Sequence, residues 1–362
     1  MNTPQLTLTT PADLLAALPH LLGFVPTDDL VALILGPAGH HDDRTVAMRS
    51  AIRCPLTIDR EAAERFPLAC RLDADHYPGA ILAAVCDSDR DAHARMLLLT
   101  VRAALHRCGI VVHRTLMTHS VTAPGHWIDL DTGHTGTTTA YIDSAATALG
   151  VMQGRVIAAS RDHIQREFTT TDPAPAMDAE AQDIVALADA TVIDLHEAIT
   201  RNSQPTTDLA MRAALVVTAH IGWRDALLRL AAGRELVAGR LWTQIAAPHR
   251  GRARAELLAM AGFAYYCGED TVRAGIALTH AAAAARDDDS APPRLAVMLD
   301  TALRAGMPPS KIRHLIVTQP TAPHAETAHI VPTLRPAGLD PPPNRPAAAF
   351  PGRLAPNTAA DM

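Results

Sequence analysis

The stretch PADLLAALPHLLGFVPTDDLVALIL, Pro11 to Leu35, decides the fold. Thr10 is placed to cap a helix whose first residue is Pro11, and Leu14, Leu15, Leu18, Leu21 and Leu22 recur at helical spacing. Gly23 ends that helix, and Pro19 predicts a kink or a division into two short pieces. The run LVALIL, Leu30 to Leu35, is apolar without alternation, the pattern of a strand covered on both faces, and GPAGHHDD turns the chain after it.

Working outward, TVAMRSAIR (Thr45 to Arg53) alternates with period two and predicts an antiparallel return. Asp59 caps a helix running to about Cys70. GAILAAVC (Gly79 to Cys86) is a buried strand, RDAHARMLLLTVRAALHRCG a long helix ending at Gly109, and IVVHRTLMT another strand. Strand, helix, strand, helix, strand in that order implies parallel neighbours joined by right-handed crossovers. Residues 1–155 therefore read as an α/β domain with a mixed sheet and flanking helices. Trp127 to Asp131 is expected as an edge strand before a Gly/Thr-rich loop, DTGHTGTTT.

Residues 156–318 read as an all-α helical domain, with helices at Asp183–Arg201, Asp208–Arg229, Glu235–Ala247, Arg252–Tyr266, Thr271–Arg286 and Arg294–Ala305. Residues 319–362 hold ten prolines and no apolar period, a composition that predicts a disordered Pro-rich tail. That tail reads either as a plain linker or as an extended ligand for another protein.

Composition narrows the function classes. With three Trp, four Tyr and five Phe in 362 residues, the core falls to Ala, Leu, Val and Ile, whose small volumes let helices approach closely. A net charge of -6 and a pI near 6.3 argue against general nucleic-acid binding, which needs a basic stripe. Lys311 is the only lysine; the arginines are spread along the chain, as codon preference in a GC-rich genome would spread them. No basic n-region with an apolar run opens the chain and no apolar stretch approaches ~18 residues, so a soluble, cytoplasmic protein without a membrane segment is expected. Five cysteines without a C-x-x-C pair fit reduced thiols, with Cys86 and Cys108 expected as small core residues.

The corner LLGFVP (Leu21 to Pro26), GRVIAASR (Gly154 to Arg161), WRDALLRL (Trp223 to Leu230), Leu241-Trp242, the Gly268 turn and AGMPPS (Ala305 to Ser310) resemble an uncharacterised, largely actinobacterial family, domain of unknown function 4192. The resemblance covers nearly the whole chain before the tail. It implies an α/β portion joined to a helical one and no particular reaction. Many relatives carry a cysteine-bearing segment after a Trp near position 127; here WIDLDTGHTG has none.

The sharpest enzymatic candidate is CDSDRDAH, which sets Asp87, Asp89 and Asp91 directly after a buried strand, where open α/β sheets bind ligands. Three oxygen-bearing side chains could hold Mg²⁺ for hydrolysis or phosphoryl transfer; apart from that ion, no cofactor is expected. The competing reading makes Asp89 an N-cap and Asp91 a first-turn residue. Arg155, Arg161, Arg224 and Asp225 lie in the family-like segments as candidates for anion recognition or for structural ion pairs. His163 and Glu167 share a helix face, and His119, His126 and His134 flank the Trp127 loop, without a zinc motif. No Walker A loop, G-x-G-x-x-G or G-x-S-x-G is present. Leu258, Gly262, Tyr265, Ala274, Leu278 and Ala281 approximate the small and large pattern of a tetratricopeptide hairpin.

Three functions follow from these features. The leading expectation is an interaction or regulatory protein with a helical partner-binding surface. A metal-dependent hydrolase or phosphoryl-transfer enzyme using the aspartates is the alternative. Local nucleic-acid contact through arginines of the helical half is the third.

Overall fold

The computed structural model describes residues 7–37, 46–152, 154–175 and 183–318; the expected disordered tail lies outside them. Helix α1 (Pro11–Leu22) opens with a Thr10 and Asp13 capping box and closes at Gly23, whose φ of 75° is the left-handed conformation a glycine adopts without a Cβ penalty. Pro19 does not divide the helix. Its ring is buried with Leu15, Leu18 and Leu22, and that packing offsets the backbone hydrogen bond it cannot make.

Strand β1 (Asp29–Pro37) is buried along nearly its whole length, and β2 (Val46–Pro55) returns antiparallel beside it. The helix expected from Asp59 is two pieces, α2 (Arg60–Glu64) and α3 (Phe66–Ala69), because Pro67 starts a new helix. These carry the chain over β1 to β3 (Gly79–Val85), which is antiparallel to β1. Helix α4 (Asp91–Arg107) then leads to β4 (Val111–Thr118), which is parallel to β3. A single adjacent pair is thus parallel, because the β2 hairpin reverses the chain before its first crossover. Strands β5 (Gly125–Asp129) and β6 (Thr135–Thr138) complete a six-stranded mixed sheet ordered β2-β1-β3-β4-β5-β6. The expected edge strand is therefore the penultimate one, and the Thr/Gly-rich segment supplies the edge itself. Gly136 makes this pairing fit, since a Cβ there would stand 2.7 Å from the Trp127 ring.

Helices follow: α5 (Ala145–Met152), α6 (Arg161–Glu167), α7 (Ile184–Arg201), α8 (Thr207–Ala219), α9 (Ile221–Leu227), α10 (Glu235–Ala246), α11 (Gly251–Cys267), α12 (Thr271–Arg286), α13 (Arg294–Arg304) and α14 (Pro309–Thr318). The helix expected over Asp208–Arg229 breaks at His220, which is extended and caps α9 through its ring.

Period two divides the sheet between two interiors. Leu30, Ala32, Ile34, Leu82 and Ala84 face α2, α3 and α4, whereas Val31, Leu33, Ala83, Val85 and Leu116 join one apolar cluster with α1 and α7 through α13. The change near residue 155 is one of secondary structure; the apolar interior runs across it. The small and large pattern of α11 and α12 describes close packing, with a Cβ on Gly262 only 2.7 Å from Leu278. Its six residues lie in the core, and of them Tyr265 also lines a crevice. Cys86 is buried as expected, but Cys108 is exposed at the end of α4.

Candidate functional site

The corner after α1 and the segment before α6 meet in a short parallel bridge. Val25 N–H donates to the Ala158 carbonyl at 3.0 Å, and Ala158 N–H donates to the Gly23 carbonyl at 2.9 Å. The bridge separates two crevices, and the arginines three residues before and after Ala158 enter different ones: Arg155 lines the first and Arg161 the second. Leu22, Thr271 and Val272 border both.

The first crevice, about 410 Å³, lies between the end of α1 and the α11–α12 turn. Two of its three arginines are paired with carboxylates. Arg155 donates to Glu269 at 2.9 Å, and Arg273 donates to Glu167 at 2.7 and 2.8 Å and to Asp270 at 2.8 Å. Burial works against the Arg273 charge, yet the two carboxylates outweigh it and hold its pKa above the ordinary arginine value. Arg240 reaches Asn202 at 3.3 Å. Burial, and then the charge of Arg155, push the His20 pKa down, so its ring is neutral near pH 7.

The second crevice, about 1050 Å³, lies between β2 and α11 through α13. Register places Arg53 opposite Val31 and Ala51 opposite Leu33, on the sheet face turned to the helices. Arg53 Nε donates to Asp29 at 2.5 Å; that carboxyl is 2% exposed, and burial raises its pKa against the pull of Arg53. Arg49 is the extra residue of a bulge opposite Ile34 and Leu35. Its side chain lies over Gly36, where a Cβ would stand 2.9 Å from Arg49 Cγ, and donates to the Pro37 carbonyl. On the helical wall Arg304 pairs with Asp300 at 2.7 Å, and exposed Asp75 is the remaining carboxylate of the lining.

The Arg161 side chain is half-buried and makes no hydrogen bond or ion pair with any described residue. Burial, and then the neighbouring Arg53 charge, push its pKa down, while Asp162 and Asp29 offset this in part. A guanidinium held in a crevice beside a second guanidinium is chemically prepared for a carboxylate or phosphate, which would relieve the repulsion and replace lost water.

A family model described as Domain of unknown function (DUF4192) matches residues 11–310. The chain belongs to the DUF4192 family. No curated protein and no solved structure matches it. In this DUF4192 chain the family-like corner at Leu21 to Pro26 and the segment Gly154 to Arg161 are the two strands of the bridge between the crevices, and the Gly268 turn lines the first.

The other candidates are dispersed. Arg224, 6% exposed, is held by Asp225 at 2.7 Å and Glu256 at 3.0 Å, an ion-pair cluster between α9 and α11. Asp87 and Asp89 sit in and before a single 3-10 turn, and Asp91 heads α4; none caps a helix through its side chain. Asp91 lies 3.1 Å from His119 Nε2 and 3.9 Å from the Cys86 thiol, which burial first and nearby carboxylates second push up to about 11. Among the described residues no three of His, Cys, Asp and Glu are grouped to hold a metal ion, and no helix is long and apolar enough to cross a membrane. Glu167 serves Arg273 rather than His163. Sequence reasoning missed Arg49 and Arg53; the signal was two arginines four apart in an alternating strand, a spacing that brings charges to one region of a sheet face.

Proposed function

We propose that this DUF4192 protein is a binding protein that receives an anionic ligand, bearing carboxylate or phosphate groups, in the crevice between β2 and α11 through α13. The supporting observation is Arg161, a half-buried cation without an ionic partner among the described residues, beside Arg53 and lining a cavity large enough for a sizeable ligand. Arg161 is the primary anion contact, Arg53 adds a charge already partly spent on Asp29, and Arg49 extends the basic strip along β2. The partner surface of the interaction protein thus lies at the sheet edge, with helices as its far wall.

Phosphate tests this reading. Sodium phosphate is expected to raise the melting temperature of the full chain above that in sodium chloride of equal ionic strength, and Arg161→Gln to abolish the difference. At a ligand concentration ~100 times Kd the stabilisation is about 2.7 kcal/mol. An equal response from Arg161→Gln, or no response from the native chain at millimolar phosphate, overturns the assignment.

A further inference from the structure

The second crevice has a wall of an unusual kind: Met48 through Arg53, six consecutive residues of β2, line it. Residues of a strand interior would present only alternate side chains to such a space. Consecutive ones border it because β2 is the edge of the sheet, paired among the described residues with β1 alone.

The register identifies which backbone groups β1 leaves unbonded. Leu56 N–H donates to the Asp28 carbonyl, and with Asp29 opposite Pro55 the hydrogen-bonded pairs with β1 fall on even residues of β2, Ser50, Ile52 and Cys54. The N–H and C=O groups of Ala51 and Arg53 therefore point away from the sheet. Their side chains stand on the face of the crevice.

Resting on the anion reading, we infer that the occupant is an extended acidic peptide that adds a strand alongside β2, bonding the outward groups of Ala51 and Arg53 while its carboxylates meet Arg53 and Arg161. Strand addition supplies affinity through the backbone, and alternate side chains supply selectivity. A second copy of β2 is disfavoured as the occupant, since antiparallel pairing centred on Ala51 would set Arg49 opposite Arg53, and like charges directly opposite repel. The same arginines that discourage self-association favour glutamate or aspartate.

The test is binding of a short fluorescein-labelled peptide of alternating threonine and glutamate to the full chain, with hydrogen exchange read at Ala51 and Arg53. The peptide is expected to bind and to protect both amides, whereas inorganic phosphate protects neither. Methylating alternate peptide nitrogens should weaken binding by about tenfold or more, as should lysine in place of glutamate. Ala51→Pro removes an outward N–H without touching the ladder to β1 and should cost a similar factor. Should that variant fold poorly, the N-methylated peptide on the native chain decides. Equal binding of the methylated or the lysine peptide, or unchanged exchange at both amides, overturns strand addition. Phosphate stabilisation without peptide binding overturns it while leaving the anion site intact, and failure of both removes the two proposals together.

Discussion

The two crevices flanking the Phe24–Ala158 bridge are built from similar side chains and do opposite things with them. In the first, Arg155 is neutralised by Glu269 and Arg273 by Glu167 and by the Asp270 cap of its own helix, so the arginines tie α6 to α12 and the segment before α6 to the α11–α12 turn. In the second, Asp29 and Asp300 answer Arg53 and Arg304, and Arg49 and Arg161 are left without a carboxylate among the described residues. Charge composition alone does not separate a structural arginine from a recognition arginine; what the neighbouring elements bring to it does.

Removing the arginine from each crevice should break the comparison most visibly. Arg273→Ala strands two partly buried carboxylates and is expected to lower unfolding free energy by about 3 kcal/mol in urea denaturation. Arg161→Gln removes a charge that has no ion pair among the described residues and should leave stability within about 0.5 kcal/mol. Comparable losses in the two variants would mean that Arg161 is a structural residue after all.

Glycine substitutions sharpen the same contrast. Gly239 packs against Tyr265, which lines the first crevice, and a Cβ would stand 2.8 Å from that ring, so Gly239→Ala should destabilise by about 1–3 kcal/mol. Gly275 lines the second crevice within α12, where a Cβ would meet Leu303 at 3.4 Å, an ordinary contact. Gly275→Ala should therefore stabilise by roughly 0.5–1 kcal/mol through helix propensity. The sign of the difference in melting temperature reads the result directly.

The smallest effect is in pH. Burial first, and neighbouring arginines second, depress the pKa of His20 and of His280, which stacks on Phe168; burial depresses that of His249. A histidine whose folded pKa lies below its unfolded value near 6.5 leaves the unfolded chain binding more protons as pH falls. Stability should therefore decline below about pH 6.5 and level off once the folded-state pKa values are passed. His76, exposed beside the second crevice and raised by its hydrogen bond to Asp73, acts in the opposite sense. His20→Gln should flatten the urea midpoint against pH, and His76→Gln should steepen it.

Much of the architecture was legible because hydrophobic period is a local property. LVALIL, most of GAILAAVC, and Leu15, Leu18 and Leu22 of α1 stand in the core, with Leu14, Leu21 and Ile81 partly buried against it. Arg155 and Arg161 were legible as candidates, but their different fates were not, since Glu269 lies more than a hundred residues from Arg155 and nothing in the sequence places it there. Arg49 and Arg53 escaped notice because an alternating strand shows which residues share a face, not whether another strand covers its edge.

By itself the sequence determined where the chain alternates, where it coils, where Thr10 and Gly23 begin and end the first helix, and that a layered front would join a helical rear. Only the tertiary structure decided that β2 is an edge, that one apolar interior joins the sheet to the helices, and that Ala158 docks on Phe24. The reason is physical: helix and strand patterns are set by neighbours a few residues away, whereas the pairing of charges and the exposure of a strand edge depend on which distant segments the packed chain brings together.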